Sequence, residues 1–193
     1  MSDLDYSIIT RPLNNDTDSG DWGMVRQEGD SVFIAIIDVL GHGASAQTLA
    51  DVCKTFWEEH FRKKPGPFLS ALHKHIKGSR GCVAAFCHLN VSSGVLTYTN
   101  TGNTVLRRVG EKNERGISQP GTIGYQIRTP LEKTMTLADG DLLILHTDGI
   151  SSSMGIENLS PMPEDTQTVA TYIMEQYGKE QDDALCIVLK YVT

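Results

Sequence analysis

Residues 32–43 have the sequence VFIAIIDVLGHG, an uninterrupted apolar run followed by a carboxylate and a glycine-rich segment. Six consecutive apolar residues bounded by turn-forming residues are typical of a strand that is buried on both faces. Asp38 follows this run directly, at the point where the strand leaves the core. The segment therefore predicts a central strand with an acidic side chain at its edge.

Helices are predicted on the C-terminal side of this strand. Between residues 44 and 63 the apolar residues recur every three or four positions, which places them on one face of a helix. The segment Pro65-Gly66-Pro67 is predicted to end this helix, and residues 68–76 are predicted to form a second, shorter one. A third helix is predicted over residues 165–177.

Most of the other apolar segments have a period near two, which is typical of strands. Tight turns join the segments 82–89, 95–100 and 104–109, so these three strands are expected to pair antiparallel. Further strands are predicted at residues 8–9, 22–26, 134–137, 142–145 and 184–192. The order of strands and helices predicts an α+β sandwich, with antiparallel sheets covered by helices. A length of 193 residues with no linker favours one domain.

Composition excludes several classes of protein. Seventeen Lys and Arg against 24 Asp and Glu give a net charge of −7, which opposes binding to nucleic acid. No run approaches the roughly 20 apolar residues that span a bilayer, and residues 1–5 lack the features of a signal peptide. We therefore expect a cytoplasmic protein that binds neither nucleic acid nor membrane. The four cysteines form no CxxC pair and lie in apolar segments, which predicts reduced core thiols.

Four acidic sites share one sequence context, the edge of an apolar strand. They are Asp21, Asp38, Asp148 and the pair Asp182-Asp183, and three of the four have a glycine within three residues. If these edges converge, the carboxylates repel one another, and their pKa values rise unless a cation neutralises them. Carboxylates without His or Cys partners favour Mg²⁺ or Mn²⁺ over zinc. The pattern predicts a site for hard divalent metal ions.

Each acidic site also has a structural interpretation when taken alone. Asp-Gly is a common hairpin turn, and Asp139-Gly140 lies between two predicted strands with no other feature, so we assign it to a turn. Asp148-Gly149 differs, because Ile150 and a run of serines follow it instead of a partner strand. The coincidence of four such sites favours the functional interpretation.

Two other enzyme classes fit the sequence poorly. Residues 41–46 match the dinucleotide fingerprint G-x-G-x-x-A, but a Rossmann unit needs a parallel strand after the helix, and here a second helix is predicted. The glycines are therefore expected to shape a metal and phosphate loop. No G-x-S-x-G motif occurs, which disfavours a serine hydrolase.

Six segments resemble, in this order, the motifs of the bacterial PPM-type metal-dependent serine/threonine phosphatases, in their SpoIIE-like branch. They are Ser19-Gly20-Asp21, Asp38-Val39-Leu40-Gly41-His42-Gly43, Arg80-Gly81-Cys82-Val83-Ala84, Thr101-Gly102-Asn103, His146-Thr147-Asp148-Gly149 and Asp182-Asp183-Ala184-Leu185. The ordered set covers nearly the whole chain. The resemblance implies a single PPM-type phosphatase domain over residues 1–193, folded as an αββα sandwich of two mainly antiparallel sheets flanked by helices.

The resemblance also implies an activity and a metal centre. The activity is hydrolysis of phosphoserine or phosphothreonine on stressosome scaffold proteins with STAS domains, which resets a stress-signalling pathway. Two Mn²⁺ or Mg²⁺ ions would be bound. The implied ligands are Asp38 as the bridge between the ions, the backbone carbonyl of Val39, Asp21, Asp148 and Asp182, with Asp183 as a substitute for Asp182.

Roles beyond the metal ligands are less completely assigned. The eukaryotic branch of the family has a histidine general acid two residues after the bridging aspartate, where this chain has Leu40. His42, on the same glycine-rich segment, is the alternative candidate to act with Asp38 in catalysis. Arg80 is a candidate for binding phosphate, and it can equally be a solvated turn residue.

Alternative functions stay open at this level. The chain could be a catalytically silent module that keeps the fold and binds a partner, or a phosphatase for another anti-sigma-factor antagonist. A generic esterase or phosphodiesterase would share the metal requirement. Retention of all four acidic sites favours an active phosphoprotein phosphatase.

Overall fold

Two five-stranded antiparallel sheets form the centre of the computed structural model, which describes residues 4–13, 17–155 and 165–192. Sheet I has the spatial order β1 (Asp5–Arg11), β12 (Ala184–Lys190), β11 (Leu142–His146), β6 (Val105–Val109) and β7 (Glu114–Arg115). Sheet II has the order β10 (Lys133–Thr136), β5 (Val95–Thr101), β4 (Cys82–Asn90), β3 (Ser31–Val39) and β2 (Asp21–Glu28). A separate small hairpin consists of β8 (Gly121–Thr122) and β9 (Gln126–Ile127).

Helices cover the outer faces of both sheets. The helices α1 (Ala44–His60) and α2 (Pro65–His75) pack on sheet II, and α3 (Thr166–Tyr177) packs on sheet I. A third apolar layer lies between the sheets themselves. These layers confirm the predicted α+β class and the αββα arrangement.

Strand β3 is the centre of this packing, as its apolar run predicts. Ile34 and Ile36 point into the layer between the sheets, while Phe33, Ala35 and Ile37 face the helices α1 and α2. Burying one such isoleucine fully stabilises a fold by about 1.5–3 kcal/mol. Since the strand is covered on both faces, the backbone at its C-terminal end is held in place by the core.

The boundaries of the second helix differ from the prediction. The segment Pro65-Gly66-Pro67 forms the first turn of α2, and α1 has already ended at His60. Proline is well accommodated at the first helical position, because its missing N–H has no intrahelical partner there. In addition, the two-residue strands β7 and β8 lie outside the segments that are predicted as strands.

Three further expectations can be compared with the structure. Asp139-Gly140 forms a turn before β11, as assigned. All four cysteines are buried and unpaired, which confirms the predicted core thiols. Within residues 4–13, 17–155 and 165–192, no helix combines the length and the apolar character needed to cross a membrane.

Candidate metal centre

The pairing of β2 with β3 brings two of the predicted acidic residues together. Asp21 begins β2 and lies opposite Asp38, near the end of β3. On its other side, Asp38 lies opposite Val83 of β4. Asp21 is only 6% exposed, so this edge of sheet II holds a buried carboxylate next to a partly buried one.

The corresponding edge of sheet I holds the remaining acidic residues. Strand β11 ends at His146, two residues before Asp148, and β12 begins directly after Asp182-Asp183. Since the two strands are antiparallel and His146 lies opposite Cys186, the end of one meets the beginning of the other. Register alone therefore places Asp148 and the aspartate pair at one edge.

Side-chain hydrogen bonds join these two edges across the sandwich. The Thr147 hydroxyl donates to Asp21 Oδ2 at 2.6 Å, and its oxygen accepts the Leu185 backbone N–H at 3.0 Å. The Gly20 N–H donates to Asp183 Oδ2 at 2.8 Å. Because the Leu185 N–H donates a hydrogen bond to the hydroxyl oxygen, the hydroxyl's own hydrogen is available to bond the Asp21 carboxylate.

A cavity of about 450 Å³ lies where the two edges meet. Six of the seven predicted site residues line it, namely Asp21, Asp38, Val39, Asp148, Asp182 and Asp183. The other residues in its wall are Leu40, Gly41, Val83, Gly102, Asn103 and Thr122. The seventh predicted residue, His42, is exposed and does not belong to this lining.

The crowding of carboxylates makes their ionised forms unfavourable. Burial, followed by the charges of Asp148 and Asp182, raises the pKa of Asp38 to about 7. Burial, followed by the charge of Asp38, raises the pKa of Asp21 well above its usual value. The pKa of Asp182 is also raised, by burial and then by Asp148. A bound cation would relieve this repulsion, because it favours the charged form of each carboxylate.

The donor set fits small divalent ions that keep part of their water shell. The acidic side chains offer only oxygen, which suits Mg²⁺ and Mn²⁺. Among the described residues, no three His, Cys, Asp or Glu side chains are close enough to hold one ion by themselves. Mg²⁺ is commonly bound through one or two carboxylates while it retains several waters, so this arrangement accommodates it.

The two neighbouring aspartates of the last motif have different surroundings. Both carboxylate oxygens of Asp183 accept backbone N–H groups, from Leu13 at 2.7 Å and from Gly20 at 2.8 Å. Asp182 is partly exposed, and its Oδ1 accepts the Asp183 N–H at 3.0 Å. The bonds of Asp183 hold the loop before β2, which favours Asp182 over Asp183 as a metal ligand.

Three residues at the site were not assigned a role from the sequence. The Asn103 amide donates to Asp148 Oδ2 at 2.6 Å, and Thr147 holds Asp21 as described above. The Lys179 ammonium donates to the backbone carbonyl of Asp148 at 2.6 Å. Asn103 and Thr147 stand inside motifs that the sequence singles out, whereas Lys179 follows α3 with no sequence signal around it.

Leu40 belongs to the cavity wall, and Arg80 binds its backbone from outside the lining. Leu40 lines the cavity and is 43% exposed, so an apolar side chain borders the acidic wall. Arg80 is outside the cavity lining, and its guanidinium donates to the Leu40 carbonyl at 3.0 Å and to Ser45 Oγ at 2.8 Å. Its contacts are therefore with the glycine-rich loop that follows β3.

Sequence comparison assigns the chain to a family. Residues 28–191 match the family described as Stage II sporulation protein E (SpoIIE). The match covers most of the chain, which therefore belongs to this family of PPM-type, or PP2C-type, serine/threonine phosphatases. Phosphatases of this type are metal-dependent. No curated protein has significant sequence similarity to the chain.

Solved structures share the fold over nearly the whole chain. One comes from work on the bacterial stressosome as a modular system adapted to control secondary messenger signalling, with 25% identity, a TM-score of 0.89 and coverage of 98% of this chain and 100% of that one. RsbX in complex with magnesium has 16% identity, a TM-score of 0.87 and coverage of 98% and 96%. The PP2C domain of SpoIIE from Bacillus subtilis, with a fragment of its regulatory domain, has 15% identity, a TM-score of 0.78 and coverage of 97% and 62%.

Proposed function

We propose that this chain removes phosphate from phosphoserine or phosphothreonine on stressosome scaffold proteins and so resets a stress-signalling pathway. The observation that carries the proposal is the meeting of five aspartates from opposite ends of the sequence in one cavity. The assignment to the SpoIIE family supports the reaction class. The stressosome as the source of substrate is supported by the likeness to RsbX and to the stressosome-related structure.

The proposal includes two Mn²⁺ or Mg²⁺ ions and names the residues that would bind each ion. Asp38 lies at the edge of sheet II and interacts with Asp148 and Asp182 of the other edge. It is proposed to serve both ions, with Asp21 and the Val39 carbonyl on one side. Asp148 and Asp182 are proposed on the other, with Asp183 retained for holding the loop. When bound, such ions activate water for in-line attack on phosphorus and offset the charge of the phosphoryl oxygens.

The chain's own groups prepare the site for this chemistry. Thr147 holds Asp21 through a hydrogen bond at 2.6 Å, and Asn103 holds Asp148 at the same distance. The Thr147 bond lowers the pKa of Asp21, against the effect of burial. The Asn103 bond fixes the orientation of the Asp148 side chain. We assign proton donation to the leaving oxygen to His42, which lies on the glycine-rich loop beside the cavity. Replacing His42 with Gln tests this separately, because losing a general acid should lower kcat on a phosphoserine substrate while Mn²⁺ affinity stays unchanged.

One experiment compares phosphoprotein substrates under controlled metal conditions. The purified chain is incubated with Mn²⁺ and either a phosphorylated stressosome scaffold protein or a phosphorylated anti-sigma-factor antagonist, and phosphate loss is followed by mass spectrometry. We expect turnover of the scaffold protein that chelator abolishes, and no turnover by Asp38→Asn. Turnover that persists in chelator contradicts the metal-dependent mechanism.

Two results would select the alternatives. Faster turnover of the anti-sigma-factor antagonist would replace the stressosome as the source of substrate while leaving the reaction class unchanged. Binding of a phosphoprotein without any turnover in Mn²⁺ would favour the catalytically silent module. A phosphodiester included in the same panel tests the generic esterase, which should cleave it at a rate similar to that of a phosphoserine peptide.

A further inference from the structure

The dipeptide Arg80-Gly81 contacts both polar backbone groups of Leu40. The Leu40 N–H donates to the Gly81 carbonyl at 3.1 Å, and the Leu40 carbonyl accepts from Arg80 Nη1 at 3.0 Å. The second terminal nitrogen of Arg80 donates to Ser45 Oγ at 2.8 Å, in the first turn of α1. The guanidinium therefore spans the glycine-rich loop from the end of β3 to the beginning of α1.

The bond to Gly81 also determines where the carbonyl of Val39 points. The Val39 C=O and the Leu40 N–H belong to the same peptide unit, and in a trans peptide these two bonds point in opposite directions. Because the N–H is directed at Gly81, the Val39 carbonyl is directed away from it. A Cβ atom on Gly20 would lie 3.2 Å from the Val39 oxygen, so this carbonyl faces the segment that leads into Asp21.

Two glycines make the close approach possible. Gly41 has φ of +83°, and a Cβ atom there would lie 3.0 Å from Arg80 Nη1. Gly81 has φ of +82°, and a Cβ atom there would lie 2.6 Å from the Thr122 methyl group. Any other residue at either position would be strained by the backbone angle. Its Cβ atom would also press on Arg80 at position 41, or on Thr122 at position 81.

We propose that Arg80 is a positioning residue that clamps the glycine-rich loop and thereby aims the Val39 carbonyl at the metal centre. The clamp rests on the proposed function only in that the Val39 carbonyl is taken to bind a divalent ion. A planar guanidinium suits this role, because its fixed fork reaches two acceptors at once, whereas an ammonium is a single point of donation. Arg80 lies outside the cavity lining, and its guanidinium already bonds the loop at Leu40 and Ser45, so the loop is the partner that the structure gives it.

Amide hydrogen exchange in the metal-free protein tests the clamp without any turnover. The variants are Arg80→Lys, which keeps the charge, and Ser45→Ala, which removes one acceptor of the fork. The matched control is Arg62→Lys, because Arg62 is also exposed and its guanidinium is bonded to Glu28 instead. We expect exchange of the Leu40 amide about tenfold faster in Arg80→Lys, somewhat less in Ser45→Ala, and unchanged in Arg62→Lys.

Metal affinity and kinetics separate positioning from phosphate binding. Calorimetric titration should show Mn²⁺ bound about five- to tenfold more weakly by Arg80→Lys, while KM for a small phosphate monoester at saturating Mn²⁺ stays unchanged. Normal Leu40 exchange and normal Mn²⁺ affinity together with a raised KM would overturn the clamp and make Arg80 a phosphate ligand. If the unsubstituted protein binds no Mn²⁺, the proposed function fails, whereas unchanged Leu40 exchange in both variants overturns the clamp alone.

Discussion

Strand β11 is flanked by the same dipeptide at both ends, with different consequences. Asp139-Gly140 precedes the strand and forms an exposed turn. Asp148-Gly149 follows the strand and belongs to the acidic cavity, with Asp148 held by the Asn103 amide. An Asp-Gly pair therefore carries little information by itself, and its role depends on which other segments meet it.

The two glycines are required for different physical reasons. Gly140 has φ of +83°, and a Cβ atom there would meet nothing within 4 Å. A Cβ atom on Gly149 would overlap the carbonyl of Asp183, the residue just before β12. The first glycine satisfies a local backbone angle, while the second allows two acidic loops to pack against each other.

The largest effect is expected from a substitution in Asp148-Gly149, the pair that belongs to the acidic cavity. Asp148→Asn removes a negative charge that the proposed ions need, so we expect Mn²⁺ affinity and kcat/KM to fall at least about a hundredfold. Calorimetric titration and phosphate release measure the two quantities. Unchanged Mn²⁺ affinity in this variant would exclude Asp148 from the metal ligands.

The glycines should differ in their effect on stability. Gly149→Ala forces a methyl group into the Asp183 backbone, and we expect the free energy of unfolding to fall by about 2–4 kcal/mol. Gly140→Ala costs only the unfavourable backbone angle, about 1–2 kcal/mol. Urea denaturation of the metal-free variants compares them. Equal losses would mean that the Asp148 and Asp183 loops are less closely packed than the structure shows.

The hydroxyl of Thr147 provides a smaller effect at the same edge. Thr147→Val keeps the shape but removes the donor to Asp21 and leaves the Leu185 N–H without its acceptor, which should cost about 1–3 kcal/mol of stability. Thr147→Ser retains the hydroxyl and serves as the control. Denaturation measures the loss, and a serine variant as unstable as the valine variant would assign it to packing instead.

The smallest effect is expected at the turn before β11. Asp139→Asn should change the free energy of unfolding by no more than about 0.5 kcal/mol, because the residue is exposed and asparagine suits turns as well as aspartate does. Phosphate release should match that of the unsubstituted protein. A tenfold loss of rate would show that the two Asp-Gly pairs are not functionally distinct.

Several elements were predicted because their signals are local. The six consecutive apolar residues of β3 leave no polar face, so its burial on both faces follows from composition alone. The carboxylates were recognised from their place at strand edges. The boundary at Pro65 was predicted wrongly, because a proline after an amphipathic segment can end one helix or begin the next. Strands of two residues, such as β7, are too short to show a period.

The supporting contacts of the site could not be predicted from local signals. The hydroxyl of Thr147 meets a carboxylate 126 residues away in the sequence and a backbone amide 38 residues away. Lys179 contacts the backbone carbonyl of Asp148. Every residue has a backbone carbonyl, so residue type gives no signal for such a contact. The sequence placed Arg80 in a motif without distinguishing a turn residue from a phosphate ligand. Its contacts with the loop at Leu40 and Ser45 are the basis for the proposed positioning role.

The amino-acid sequence by itself determined the class of fold and the set of carboxylates, since both follow from periodicity and from residue type at strand ends. The tertiary structure decided which acidic residues share one cavity and which of the two neighbouring aspartates accepts backbone N–H groups. It also decided the direction of the Val39 carbonyl. The reason is physical: burial patterns are properties of a segment, whereas charge repulsion and hydrogen-bond geometry depend on distances between segments that only the packed sheets set.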